Sequence, residues 1–219
     1  EGDERRARFR ELVERSWTGL ATPESVGYAL TRAFRDRVSE RVFTFVLAEC
    51  YEADEHFDYT HVRQREGPVW RIVHEQPPHM LDPRYESWSA MLLDSIDSVV
   101  ETLEEKGGFE DHRWSEYNAF RFRHPLSAAV PLVDRWLDMP RREIPGDLYT
   151  PRMMWGISAA SERMVVSPGR EQDGIMHMPT GQSGHPLSPF YANSHEAWVR
   201  GEPTPFLPGP SQHWLTLAP

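Results

Sequence analysis

Proline is spread so unevenly along this chain that it decides where long helices can lie. Five of the nineteen prolines (Pro23, Pro68, Pro77, Pro78 and Pro83) precede residue 110, and the other fourteen follow it. Proline lacks a backbone donor and clashes with the preceding turn, so a helix interior tolerates it poorly. The chain therefore divides near residue 110, with room for long helices before it and only short, proline-separated pieces after it.

In the first half the apolar residues recur at helical spacing. Glu4 to Trp17 places Phe9, Leu12, Val13 and Trp17 at three- and four-residue steps, one apolar stripe on a charged helix. Arg5, Arg6, Arg10 and Arg15 read as its solvated face, paired with Glu4, Glu11 and Glu14. Thr22-Pro23-Glu24 reads as an N-cap, a first-turn proline and a first-turn acid. The helix it opens carries Val26, Leu30, Ala33, Phe34, Val38 and Val42 and is expected to run on to Cys50. A third helix is predicted over Val69 to Glu75, halting at Pro77-Pro78. A fourth runs from Trp88 to Lys106, with Met91, Leu92, Ile96, Val99, Val100 and Leu103 inward, and stops at Gly107-Gly108.

Beyond Gly108 the pattern shortens. Trp114 to Arg123 alternates loosely, with Phe120 and Phe122 on one face and Arg121 and Arg123 on the other, and His124-Pro125 ends it. Leu148 to Trp155, Arg163 to Val166 and Gly174 to Met178 are further strand candidates. Aromatic and aliphatic residues are interleaved with the prolines between them, which predicts ordered loop wrapping a core, with proline lowering the entropy of the unfolded chain.

Composition narrows the function classes. Hydrophobic residues at 39%, charged residues at 26% and eight tryptophans describe a folded globular chain. A formal charge of −10 argues against a general nucleic-acid binder, which needs a basic face. No apolar run approaches the roughly 20 residues that span a bilayer, and Glu1 to Arg15 is too charged for a secretory signal. Lys106 is the only lysine, a bias read first as codon usage and second as a preference for bidentate pairing. Cys50 stands alone, so no disulfide forms within the chain, and Phe45, Val46 and Leu47 beside it predict a buried structural thiol.

Several residues invite a chemical reading. Ser183 is flanked by Gly181, Gly184 and His185, but a nucleophile elbow needs glycine where His185 stands. His185 is also too near in sequence for a triad base, so a tight turn needing glycine for its backbone angles is preferred. The run Glu49, Glu52, Asp54, Glu55, His56, Asp58 and His61 lacks the glycine of a calcium loop, and its histidines are five apart, off a common helical face for zinc. It is read as a solvated acidic segment. Arg163 and Trp114 are read as structural, the arginine satisfying buried carbonyls or a carboxylate. Met153, Met154, Trp155, Met164, Met176 and Met178 could line an acyl pocket, with plain core packing preferred. No residue is assigned a catalytic, cofactor-binding or metal-binding role.

Order and spacing of short motifs add a resemblance. Trp114-Ser115-Glu116-Tyr117-Asn118 is followed by His124-Pro125-Leu126-Ser127, by the proline-rich approach Pro140 to Gly146, and by Asp147-Leu148-Tyr149-Thr150. Then come Ser161-Glu162-Arg163-Met164-Val165-Val166, Gly181-Gln182-Ser183-Gly184, Pro186-Leu187-Ser188-Pro189-Phe190-Tyr191 and Trp198-Val199-Arg200-Gly201, with Ser16-Trp17-Thr18-Gly19 near the start. Together these resemble the C-terminal part of the β chain of the penicillin acylase (penicillin amidase) family of N-terminal-nucleophile hydrolases. The match is specific from 114 to 201 and loose before 110.

The resemblance implies an α+β chain that is the C-terminal portion of a four-layer αββα fold. Residues 1–110 would be a helical segment on the outside of the core, and 111–219 a strand and loop segment completing the central sheets. It implies a precursor cut autocatalytically into an α and a β chain. The nucleophile is the first residue of the β chain, normally serine, activated by its own α-amine, whose unperturbed pKa is about 7.7–8.0. Backbone and asparagine donors hold the oxyanion. Those groups belong to the first half of the family's β chain, and Glu1, where this sequence begins, offers only a poorly nucleophilic carboxylate. The expected function is therefore part of an amidohydrolase that frees an acyl group from an amine nucleus. Candidate substrates are β-lactam side chains, acyl homoserine lactones and lipopeptide acyl tails. The expected partners are the remaining N-terminal part of the β chain, the α chain and a small N-acyl substrate, with no nucleic acid and no membrane. No cofactor is expected in this chain, a structural calcium is allowed elsewhere in the assembly, and location follows family habit, periplasmic or extracellular. The alternatives are a non-catalytic binding or structural module that keeps the fold's tail, and an unrelated metal-dependent hydrolase using the acidic run.

Overall fold

The computed structural model describes residues 2–155 and 158–217, so Glu1 lies outside the described residues. The chain forms two compact units, Glu1–Glu116 and Tyr117–Pro219. Helices dominate the first and short antiparallel ladders the second, an α+β composition.

The first unit contains α1 (Gly2–Ser16), α2 (Val26–Val46), α3 (Ala48–Ala53), α4 (Glu66–Glu75) and α5 (Trp88–Glu104). Its core is two apolar clusters. Phe9, Leu30, Val99, Val100, Leu103 and Phe109 form one, and Val38, Val42, Phe43, Val69, Trp88 and Met91 the other, with Phe34 packed against both. On α5 the inward residues Met91, Val99, Val100 and Leu103 are buried, while Leu92 and Ile96 lie at its margin. The helix stops at Glu104, and Gly107 and Gly108 follow at φ 120° and 118°, a region closed to other residues. α4 begins at Glu66, earlier than its pattern predicts, and ends at Gln76, left-handed before Pro77.

Four expectations are corrected here. The α2 cap is Ser25, whose Oγ accepts the Tyr28 N–H at 3.1 Å, while Thr22-Pro23-Glu24 forms the preceding turn. α2 does not reach Cys50. Leu47, at φ −107° and ψ 22°, leaves helical geometry and caps both α2 and α3. Cys50 is exposed, not buried, because α3 has no apolar stripe of its own and buries no residue. The arginine stripe is only partly a solvated face. Arg10 and Arg15 pair with Glu14 and Glu11 along α1, but Arg5 reaches Glu104 at 3.4 Å and Arg6 holds Asp97 with a two-point grip, tying α1 to α5. Trp17 lies just past α1, half exposed, stacked on Tyr28 at 5.7 Å, and Tyr28 meets Trp114 edge-on at 5.0 Å. α1 approaches α2 so closely there that a Cβ on Gly27 would stand 2.8 Å from the Trp17 backbone nitrogen.

Among its described residues the second unit contains three two-stranded antiparallel ladders. β1 (Ala119–Phe120) pairs with β2 (Arg142–Glu143), β3 (Met154–Trp155) with β4 (Ser158–Ala159), and β5 (Arg163–Val165) with β6 (Ile175–His177). Short helices accompany them, α6 (Pro125–Ala129), α7 (Asp134–Leu137) and α8 (His195–Arg200). Phe120, Ile144, Met154 and Trp198 are its buried apolar centre. The β5–β6 register pairs Arg163 with His177, Met164 with Met176 and Val165 with Ile175.

Two strands are shorter than their patterns predict. Trp114–Glu116 is a 3-10 turn in the first unit, and only Ala119–Phe120 of that stretch is paired. Leu148 to Thr150 forms a turn, leaving Met154–Trp155 as the strand. The cause is Gly146, at φ 126° and packed so tightly on the Arg152 carbonyl that a Cβ would stand 2.1 Å from its oxygen. The chain reverses there instead of extending.

Candidate functional site

The densest chemistry lies in the second unit, around His124-Pro125-Leu126-Ser127. Pro125 opens α6, where its missing N–H costs nothing. His124 caps that helix, its Nδ1 accepting the Leu126 N–H at 3.1 Å. Ser127 Oγ lies 2.7 Å from the His124 carbonyl oxygen and 2.5 Å from Asp138 Oδ1. Asp138 also accepts the His124 N–H at 2.9 Å, and its side chain is fully buried. Arg121 Nε and Arg123 Nε stand 3.5 and 3.7 Å from its other oxygen. The predicted alternation thus holds despite the short strand, because Phe120 and Phe122 meet edge-on at 4.5 Å on the opposite face. Burial opposes the Asp138 charge, but the bonds from Ser127 and His124 and the two guanidiniums outweigh it and hold the carboxyl below its ordinary pKa.

Beside this network is an open cleft of about 240 Å³, walled by Phe122, Leu137, Met139 and Tyr191 with Arg123 and His124 at the rim. The Tyr191 hydroxyl donates to the Leu137 carbonyl oxygen. Serine, histidine and aspartate meet here, yet not in the order that acyl transfer needs. A triad places the imidazole between hydroxyl and carboxylate. Here the serine contacts the carboxylate directly and the imidazole nitrogen accepts a backbone N–H. A carboxylate held below its ordinary pKa is also a weak base. The arrangement locks a turn and shapes an apolar cleft.

A second network surrounds α8. Arg163 and Arg152 both donate to the Trp198 carbonyl oxygen, the latter at 3.3 Å, and Arg152 also donates to that of Val199. The Arg163 guanidinium lies over the Trp198 ring at 4.8 Å, and Trp198 Nε1 donates to the Ala160 carbonyl at 3.1 Å. Cations at the last carbonyls of a helix meet its negative end. Burial and the neighbouring Arg152 push the Arg163 pKa down to about 10, which leaves it charged at neutral pH. Arg163 therefore serves buried carbonyls, as its sequence context predicts, and Trp114 is fully buried.

The other candidates are scattered. Ser183 Oγ accepts the His185 N–H at 3.1 Å, and His185 Nδ1 accepts the Leu187 N–H at 3.2 Å, so both side chains serve the local backbone. The glycine requirement there is one of space rather than of backbone angle. A Cβ on Gly181 would stand 1.8 Å from the Phe190 carbonyl oxygen, while Gly184 is open. Asp54 and Asp58 accept the N–H groups of His56 and Thr60 at 2.9 and 2.7 Å, ordinary turn caps. Among the described residues no group of three or more His, Cys, Asp or Glu side chains is placed to hold a metal ion, and no helix is long and apolar enough to cross a membrane. Met154 is core and Met164 is exposed, and the methionine that lines the cleft is Met139, outside the set singled out from the sequence. Asp138 was also missed. It meets Arg121, Arg123, His124 and Ser127 only through the fold, and its own neighbours in sequence do not announce the contact.

Comparison with known proteins places these networks in context. A family model described as Penicillin amidase matches residues 4–212. The chain is 30% identical over 132 residues to "Penicillin acylase 2 proenzyme" of Pseudomonas sp. (strain SE83), covering 55% of this chain and 16% of that protein. It is 24% identical over 239 residues to "Acyl-homoserine lactone acylase QuiP" of Pseudomonas aeruginosa, covering 90% of this chain and 26% of that protein. The chain thus spans about a quarter or less of the length of these curated relatives.

Proposed function

Because this chain belongs to the penicillin amidase family, we propose that it is one segment of an amidohydrolase that cleaves a carboxamide and frees an acyl group from an amine. The observation that carries this reading is a family match across residues 4–212, joined to two relatives that are both acylases by name. The acyl donor is a small N-acyl compound of the kind those names indicate, a penicillin or an acyl homoserine lactone. The nucleophile, its base and the oxyanion donors lie on another part of the same polypeptide, and these residues help to complete a four-layer αββα fold around them. The side chains that resemble an acyl-transfer set here, Ser127, His124 and Asp138, are engaged in holding a turn, which supports placing the chemistry elsewhere. The partners are then the remainder of the β chain and the α chain of one precursor. Secretion to the periplasm or beyond fits the same reading.

The test is expression of the full-length parent protein, assayed for primary amine release from benzylpenicillin and from a series of N-acyl homoserine lactones. N-terminal sequencing of the resulting chains accompanies it. Amine release by a protein with a chain beginning in serine, threonine or cysteine is the expected result. An unprocessed, inert polypeptide would overturn it in favour of a binding or structural module.

A further inference from the structure

The network at the end of α8 carries more positive charge than it uses. Arg152 and Arg163 both donate to the Trp198 carbonyl oxygen, so their guanidiniums lie side by side. Packing holds them there. Arg163 lies over the Trp198 ring at 4.8 Å, and Arg152 abuts Gly201, where a Cβ would stand 3.1 Å from its Nη2. Among the described residues no carboxylate pairs with either arginine. Glu202, just past the helix, is turned to Arg200 at 3.0 Å. Burial lowers both arginine pKa values, and Arg152 lowers that of Arg163 further, as like charges do when no anion separates them. The helix end offsets only part of this. A helix terminus is worth roughly half an elementary charge, and α8 has six residues, against two whole charges.

We infer that Arg152 and Arg163 together form a binding site for a small free carboxylate. The donor inventory selects that ligand. On each guanidinium Nη2 is spent on backbone carbonyls and Nε is covered by protein, whereas Nη1 makes no hydrogen bond and keeps solvent contact. Two free Nη1 groups on neighbouring forks match the two oxygens of one carboxylate, the planar partner that guanidiniums recognise best. A phosphate would bring further oxygens for which these groups have no donor left. Both forks are already fixed on the Trp198 and Val199 carbonyls, so little side-chain freedom remains to be lost on binding. The two arginines thus do more than close α8. The site stands whether or not the parent protein cleaves amides.

Acetate is the probe, titrated into the full-length parent protein at constant ionic strength with chloride as the balancing anion. Hydrogen exchange is read on peptides covering residues 152–163 and 195–202. Acetate is expected to slow exchange there saturably, by at least about threefold, and to leave residues 2–116 unchanged. Arg163→Lys keeps a cation but loses the fork, and should raise the acetate concentration for half the effect about tenfold. Arg152→Lys should act in the same direction. Inorganic phosphate at the same ionic strength should protect these peptides less than acetate does. Absence of saturable protection by acetate in the wild-type protein would overturn the inference, and that arm needs no variant to fold. Protection by phosphate as strong as that by acetate would overturn it too, as would an acetate response unchanged in both lysine variants.

Discussion

The two units of this chain solve the same problem with different chemistry. In Glu1–Glu116 the long helices satisfy their own backbone, and apolar side chains from α1, α2, α4 and α5 do the rest. In Tyr117–Pro219 the ladders are two or three residues long and pair few backbone groups. Other backbone groups pair between loops, as the Met139 N–H does with the Phe122 carbonyl at 3.0 Å, and polar side chains take up further ones. Asn118 donates to the Gly146 carbonyl at 2.6 Å, Asp138 takes the His124 N–H, and Arg152 and Arg163 close the end of α8. Buried backbone groups must find partners somewhere. Proline content decides which partners these are, because a chain that cannot sustain helices or long strands must supply them from side chains.

This contrast can be broken or sharpened by substitution, with hydrogen exchange read separately over each unit. The largest effect is expected from Trp198→Ala, about 4 kcal/mol for a buried tryptophan at the centre of the second unit. It also leaves the Ala160 carbonyl without its indole donor. Leu30→Ala, at a fully buried site of the first unit, should cost about 3 kcal/mol. Asn118→Ala should cost about 2 kcal/mol, because a buried carbonyl loses its donor. A polar substitution in the first unit as costly as that one would erase the distinction drawn here. Ser25→Ala, which removes the α2 cap, should cost about 1 kcal/mol by urea denaturation.

The subtlest expectation concerns acid. Asp138 is held below its ordinary pKa, so its contribution is complete above the unfolded value of about 3.9 and is lost as pH falls through the lower folded value. Ser127→Ala removes one of the bonds that lower it and should move acid unfolding of residues 117–217 to higher pH. Asp138→Asn should flatten that acid limb. An acid limb unchanged in both variants would show that Asp138 contributes nothing to it.

The helical half was largely legible because a repeated apolar period over four or more turns leaves few alternatives. Its errors are local. Thr22 and Ser25 are both good caps within one turn, and spacing alone could not choose between them. Cys50 was misread because Phe45, Val46 and Leu47 lie near it in sequence, whereas the break at Leu47 turns the thiol away from the core. In the second half, the β5 and β6 stretches were visible, but a strand of two residues has no period to detect. Pro151 interrupts the stretch read as one strand from Leu148 to Trp155, and Gly146, just before it, turns the chain. The cleft was hidden for another reason. Asp138 joins Arg121, Arg123, His124 and Ser127 through space, and its own neighbours in sequence carry no sign of that role.

Lys106 sits exposed in the turn after α5 and bears the only side-chain amine in the sequence. Lysine-directed reagents therefore find these residues at a single side chain, at one end of the helical unit. A lysine-based proximity map of these residues would be blank over the cleft and the α8 network. Coupling to a surface through that amine would present every molecule in the same orientation with respect to α5. Distance measurements on these residues must instead address carboxylates, which the sequence supplies in abundance, or the exposed thiol of Cys50.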